Sequence, residues 1–516
     1  MSAAEPSFPV SAPLDCHESA DLTGAVRRGL LFTGGSYVAR AGLEFGTSVA
    51  LARLLLPGDF GIVAVGQAFL QLSYVVGNLG MGAALVQARD LSEADRRAAT
   101  TVSTVAAIVL ALLCAAAAPF AAGFFAMPVL RAAMPIMAGE IILAGLAATP
   151  TALLRRRLHY GRAAMVDSGA GVVYAVVGIS LALLGHGLWS LVWTPLVSGT
   201  WTVVAAHLLA RHRPAWGLDR AAMRRLLGFG GALTVKNLFV HTARHADNLV
   251  VARMLGDYAT GLYTRAFSLS TLPQSRLVGL IYNVSFPILC RLRDDRERFH
   301  AWYLEATTSA AVLVTPLLLG LAVVAPEFTV VVYGETWADM AGCLRLLCLA
   351  GLLNSIHMLG GAAVEASGRV RYEVAAQSLY GVMIPLGALV GSRFGIEGVG
   401  AGVLTAALVF YVSKGLALRM AIGLPFGAYV RAAAPSLAAG GIMALAVMVV
   451  LEVATRTGLT TTPATRLVAG VVTGAVAYAA SLAVVARGHL RIVLDQVAVL
   501  RGARAAGDSP AVGHRA

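Results

Sequence analysis

The feature that most restricts this chain is a series of long apolar stretches, separated by only a few residues of charge, glycine or proline. A helix needs about 20 apolar residues to cross a hydrocarbon core of about 30 Å. Runs of that length fall at about residues 29–55, 60–86, 99–125, 130–154, 166–186, 188–210 and 227–255. Seven more fall at about 258–290, 304–332, 337–364, 373–392, 397–420, 429–454 and 464–486. Backbone groups inside a bilayer must be satisfied within the segment, so the expected fold class is all-α, a polytopic membrane protein of about fourteen spans. Composition agrees, because 58% of the 516 residues are hydrophobic and 13% charged, whereas a soluble globular chain carries about a quarter charged.

The connections alternate in charge. One set holds Arg27 and Arg28, then Arg89, Arg96 and Arg97, then Arg155 to Arg157 with Arg162, then Arg211 to Arg225. The same set continues through Arg291 to Arg298, Arg369 and Arg371, Arg419 with Arg431, and Arg487 with Arg491. The intervening turns, such as Pro57-Gly58-Asp59 and Gly185-His186-Gly187, are short and carry few basic residues, with Arg131, Arg393, Arg456 and Arg466 as exceptions. The positive-inside rule places the first set and both termini in the cytoplasm, which requires an even number of spans. The first residues lack a basic n-region, so no cleavable signal is expected.

An internal repeat divides the chain. Ala52-Arg53-Leu54-Leu55 with Gly58-Asp59-Phe60-Gly61 resembles Ala252-Arg253-Met254-Leu255 with Gly256-Asp257-Tyr258 and Gly261. Arg157-Leu158-His159-Tyr160 likewise matches Arg369-Val370-Arg371-Tyr372. Both halves begin on the same side, so the repeats are parallel and related by an axis along the membrane normal. The expected organisation is a polar N-terminus over 1–26, a six-span lobe over 27–213, a second over 214–424 and an additional pair over 425–487. Residues 488–516 are expected to form an interfacial helix and a disordered tail.

Charges inside the apolar runs carry the functional information. Arg40 and Glu44 lie in the first run, Glu140 in the fourth, Lys236, Arg244 and Asp247 in the seventh, Arg265 and Arg276 in the eighth. Facing lipid, they would together oppose insertion by roughly 20 kcal/mol, so each must be paired or line a wet cavity. Arg40 and Glu44 have the i, i+4 spacing of an intrahelical pair. Tyr258, Arg265, Arg276 and Asn283 recur every seven, eleven and seven residues, which on an α-helix keeps them within about 20° of one line. The second run has an uncharged stripe of Gln67, Gln71, Tyr74 and Asn78. The two stripes are expected either to face each other across a central path or to hold the bundle together by interhelical hydrogen bonds. In a path, guanidinium groups suit phosphate oxygens, and amides and phenols suit sugar hydroxyls. Asp247, Glu140 and Glu44 are the acids available for ion coupling.

Other chemistries lack their residues. A net charge of +13 is scattered between apolar runs, so it reads as loops on an anionic leaflet and not as a nucleic-acid surface. The five cysteines form no CxxC pair, and no histidine pair has metal-ligand spacing together with a third ligand. No P-loop, nucleophile elbow or large outward loop with catalytic groups occurs, so neither a cofactor nor an enzymatic activity is expected.

The run from Ala52 to Gly61, followed by Gly80-Met81-Gly82-Ala83-Ala84-Leu85-Val86-Gln87, resembles the N-terminal signature of bacterial lipopolysaccharide and exopolysaccharide exporters. So do Asp247-Asn248-Leu249-Val250, Gly261-Leu262-Tyr263-Thr264-Arg265-Ala266, Leu272-Pro273 and Phe286-Pro287. These segments are similar to Wzx and WzxC-type oligosaccharide flippases of the multidrug, oligosaccharidyl-lipid and polysaccharide exporter superfamily. The resemblance implies a two-lobed inner-membrane transporter that moves undecaprenyl-diphosphate-linked oligosaccharide repeats by alternating access. It further implies membrane lipids and polysaccharide polymerase machinery as neighbours, and cationic lumen residues that hold the anionic head group. Arg40, Lys236, Arg244, Arg265 and Arg276 are the candidates here, and Arg265 alone sits in a matching stretch. A cation-coupled multidrug exporter of the same superfamily is the alternative.

Overall fold

The computed structural model describes residues 40–77, 92–157, 159–211, 215–217, 219–457, 462–485 and 488, with the side chains of 72–77, 160 and 220–245 left undescribed. Helix occupies the described part of every apolar run, and no strand occurs among the described residues. The first six runs give α1 (40–54), α2 (Pro57–Gly77), α3 (Glu93–Phe124), α4 (Leu130–Met137), α5 (Gly139–Arg156), α6 (Tyr160–Leu183) and α7 (Leu188–Ala210). Then come α8 (Arg220–Pro273), a π turn (Gln274–Val278), α9 (Gly279–Arg291), α10 (Arg296–Val323) and α11 (Met340–Ala366). The chain closes with α12 (Val370–Gly391), α13 (Gly395–Ile422), α14 (Phe426–Arg456) and α15 (Pro463–Val485). The expected terminal segments 1–26 and most of 488–516 lie outside the described residues.

Two long helical stretches are folded back on themselves at glycines. Gly256, at φ 84° and ψ −174°, interrupts α8, a backbone position that favours glycine because it has no Cβ. Tyr263 reaches across this turn to bond Asp247 at 2.6 Å, although sixteen residues of straight helix would separate them by about 24 Å. Gly395, at φ 76°, does the same between α12 and α13. Among the described residues, nine helical stretches are long and apolar enough to cross a membrane, and the stretch Val370–Ile422 counts as one of them. The protein is a multi-pass all-α membrane protein.

The surface is inverted relative to a soluble bundle. On α3 the buried positions include Ala107, Ala111, Ala118 and Ala122, while Leu112, Leu113 and Phe120 face outward. Small residues let helices approach, and lipid solvates the large ones. The backbones come so close that a Cβ on Gly145 of α5 would lie 2.9 Å from the Ser103 carbonyl oxygen of α3.

Basic loop residues gather at one end of the bundle, here called the basic end. There Arg157 donates to the Ala210 carbonyl, Arg162 to that of Leu209, Arg296 to that of Gly423 and Arg369 to that of Met420. The glycine turns at 58 and 256 lie at the opposite end, the turn end. One apolar core joins both halves of the chain, with Leu51, Leu55 and Phe60 packed among Val251, Tyr263 and Trp337. Helix α14 attaches to α10 where Thr308 donates to the Ala432 carbonyl, and α15 attaches to α10 and its extension through Tyr478 to the Val312 carbonyl and Arg466 to Glu327.

Candidate binding cavity

Folding α8 back at Gly256 lays its second arm against α1 and α2. This places Arg265 opposite Ser48, and its Nη1 donates to Ser48 Oγ at 2.8 Å. The guanidinium also lies 4.1 Å from the ring centre of Phe60 on α2. Both partners are neutral, so these contacts orient the cation without cancelling its charge.

A cavity of about 400 Å³ opens beside it, lined by Phe60, Gln67, Glu140, Tyr174, Thr264, Arg265 and Ser268 together with Val63, Ala64, Leu191 and Pro195. Gln67 Nε2 donates to both Glu140 carboxylate oxygens, at 3.2 and 3.4 Å. The walls therefore pair one guanidinium with amide, phenol and hydroxyl groups, and the acid is held by an amide. Such a site can bind an anion through Arg265 and a polyhydroxylated group through the neutral donors and acceptors.

About one turn along α1 from Ser48, toward the basic end, a second ionic group is centred on Glu44. Glu44 accepts from Arg40 Nε at 2.7 Å, the geometry expected of the i, i+4 pair, and from Arg276 Nη2 across the helices. Arg40 Nη1 is also 3.8 Å from Asp167 of α6. These four side chains are 31–43% exposed and balance two positive with two negative charges. Bridging by Glu44 thus ties Arg276 to α1 as an interhelical pair.

The remaining candidates are placed elsewhere. Tyr258 is at the turn end, where its hydroxyl donates to Asp339 Oδ2 at 3.1 Å and to the Thr336 carbonyl at 3.3 Å. Asp247 is 1% exposed and accepts from Tyr263 and from the Asn248 amide. Asn283 is exposed on α9, and Gln71 is half-buried one turn beyond Gln67. The straight line expected through Tyr258, Arg265, Arg276 and Asn283 is broken by the π turn at Gln274–Val278, which holds Arg276 itself. A π turn shifts the phase of every later residue. Asn78 and the side chains of Lys236 and Arg244 lie outside the described residues.

Two features were missed in the sequence reading. Tyr174 lines the cavity from α6 with no local pattern to mark it. Deeper in the second half, Lys414 Nζ on α13 bonds both oxygens of Glu373 on α12 at 2.6 Å, and Gln377 donates to the same carboxylate. His357 lies against Phe410 and bonds Asn354 at 2.9 Å. Among the described residues no His, Cys, Asp and Glu cluster could hold a metal ion.

A family profile described as polysaccharide biosynthesis protein matches residues 50–342. The chain is similar to the lipopolysaccharide biosynthesis protein WzxC of Escherichia coli (strain K12), 23% identical over 378 residues that cover 71% of this chain and 75% of that protein. It is also similar to the succinoglycan biosynthesis transport protein ExoT of Rhizobium meliloti (strain 1021), 27% identical over 61% of this chain and 64% of that one. In fold it is similar to the lipid II flippase MurJ in an inward closed conformation, with a TM-score of 0.71 over 89% of this chain and 100% of that one at 13% identity. An inward-facing multidrug resistance MATE family transporter of the MOP superfamily gives 0.62 over 74% and 94% at 18% identity.

Proposed function

We propose, since this chain belongs to the polysaccharide biosynthesis protein family, that it is a lipid-linked oligosaccharide flippase and not an enzyme. Its cargo is the head group of an undecaprenyl-diphosphate-linked repeat unit, carried from the cytoplasmic to the outer leaflet of a bacterial inner membrane by alternating access. The observation that carries this reading is the cavity around Arg265. An oriented guanidinium suits the diphosphate, and Gln67, Tyr174, Thr264 and Ser268 offer hydrogen bonds to sugar hydroxyls. WzxC is named for lipopolysaccharide biosynthesis, ExoT for succinoglycan transport and MurJ for flipping lipid II, which supports a lipid-linked glycan as the cargo.

In this reading the basic end faces the cytoplasm, with both termini. The six-span units 27–213 and 214–424 rock against each other, 425–487 rides on the second, and the delivered unit passes to polymerase machinery outside. Deleting the gene is expected to abolish the surface polymer and to leave lipid-linked repeats accumulating on the cytoplasmic leaflet. Restoring it as Arg265→Ala is expected to leave both defects, and as Arg265→Lys to relieve them in part. A deletion strain that keeps its polymer but gains drug sensitivity would overturn the reading in favour of cation-coupled multidrug export.

A further inference from the structure

The repeated glycine–aspartate turns are in contact with each other. A Cβ on Gly61 would lie 1.9 Å from the Asp257 carbonyl oxygen, and a Cβ on Gly261 would lie 1.8 Å from that of Pro57. Each glycine thus abuts the carbonyl four residues before its counterpart, the reciprocal relation that a twofold axis between the repeats requires. The first turn of α2 and the first turn after Gly256 touch backbone to backbone, with no side chains interleaved.

Around this contact the two arginines of the repeat reach in opposite directions. Arg53, from the first half, donates to the carbonyls of Val331 and Val332, beyond α10 in the second half. Arg253, from the second half, lies 5.3 Å from the ring of Phe124, the last residue of α3 in the first half. Each half's first helix therefore grips the end of the other half's third. Trp337, fully buried, closes the arrangement by donating its indole N–H to the Ala52 carbonyl at 2.8 Å.

Phe60 joins this closure to the cavity. Its ring meets Trp337 edge-on with centres 5.4 Å apart, and it carries the Arg265 guanidinium 4.1 Å from its centre. We propose that the paired glycine–aspartate turns are the gate at the turn end, clasped by Arg53, Arg253 and Trp337, and that Phe60 transmits the position of Arg265 to that clasp. Contacts of glycine against backbone part with no side chain to withdraw, and opening the gate also separates Leu51, Leu55 and Phe60 from Val251, Tyr263 and Trp337 in the core they share, so the two arrangements are discrete. An anion that draws Arg265 away from Phe60 would remove the ring's support beneath Trp337 and shift the gate toward open. This last step rests on the flippase reading, whereas the clasp and its link to Arg265 stand on the contacts alone.

The test uses full-length protein in lipid nanodiscs with its native cysteines replaced and one cysteine introduced as Gly58→Cys. A Cβ there meets Asp257 Oδ2 at 3.4 Å, an ordinary contact, so the thiol reports whether the turns are apart. The readout is the rate of maleimide labelling, with folding of each variant checked by gel filtration. Arg53→Ala is expected to raise the rate. Arg265→Gln and Phe60→Leu are each expected to raise it about three- to thirtyfold, the factor a cation–π contact controls. The double variant should label no faster than the faster single, and Arg265→Lys should return the rate close to the starting one. Multiplying effects in the double variant, or unchanged rates in Arg265→Gln, would overturn the link through Phe60. In cells, Gly58→Cys with Asp257→Cys is expected to stop polymer delivery when oxidised and to restore it on reduction. Delivery by the oxidised pair would overturn the gate, whereas no delivery by the reduced pair or its parent would count against the flippase reading.

Discussion

At the scale of single residues, the charges divide by how far they are withdrawn from solvent. Lys414 and Glu373 are 1% and 8% exposed, so each depends on the other for solvation. Removing one partner of such a pair strands the other, at a cost of about 3–5 kcal/mol. Lys414→Met is therefore expected to lower the thermal midpoint of the detergent-purified protein sharply, and adding Glu373→Gln to recover most of the loss. Equal midpoints for Lys414→Met and the parent would show that the pair contributes nothing. The i, i+4 pair Arg97 and Glu93 is the contrast, at 49% and 64% exposed. Breaking it with Glu93→Gln should leave the thermal midpoint close to that of the parent. Both Lys414 and Glu373 were visible as charges within apolar runs, but they stand 41 residues apart. Local spacing identifies a pair such as Arg40 and Glu44 and is silent about one made between helices.

At the scale of elements, the α12–α13 hairpin is built on glycine. A Cβ on Gly402 would stand 2.1 Å from the Gly387 carbonyl oxygen, and one on Gly398 would stand 2.2 Å from that of Gly391. Gly402→Val should therefore splay the hairpin and cost at least the 1–3 kcal/mol typical of overpacking. Gly441 of α14 has open space where its Cβ would point, so Gly441→Ala is expected to be neutral or to gain up to about 1 kcal/mol from helix propensity. Thermal unfolding of the two variants side by side checks both, and similar midpoints would contradict the packing account. Elements were the most legible level of the sequence, because apolar run length alone fixes where helix must lie in a bilayer. Phase within an element was legible only while the helix stayed regular. Gln67 and Arg265 stand on two stripes expected either to face each other across a path or to hold the bundle together, and both line one cavity. Arg276 and Asn283 were assigned to the same line as Arg265, but the π turn at Gln274–Val278 intervenes. Its residues carry no periodic signature that would announce the extra phase.

At the scale of the whole molecule, the number of crossings decides which chemistry faces which side. Length and apolarity identify nine spanning stretches among the described residues. The difference from fourteen has identifiable sources: α1 and α2 are described only in part, α12 and α13 are counted together, and α8 carries charges that depress its hydropathy. The 54 residues of α8 would measure about 81 Å if straight, far more than a bilayer is thick, so the turn at Gly256 has to separate two crossings. Between the exposed His186 and the exposed Cys290 the chain is then expected to cross the membrane three times, through α7 and the two arms of α8 with α9. An odd number of crossings puts the two residues on opposite sides. With the other cysteines replaced, an impermeant maleimide added to intact cells is expected to label His186→Cys and to reach Cys290 only after permeabilisation. Labelling of both from outside would make α8 a single crossing and dissolve the parallel relation between the repeats. Labelling of Cys290 alone would keep three crossings but invert the molecule, moving the basic end outside and the glycine gate to the cytoplasm. The charge asymmetry between the two ends argues against that inversion, since Arg157, Arg162, Arg296 and Arg369 cap helices at the basic end and would have to be translocated together.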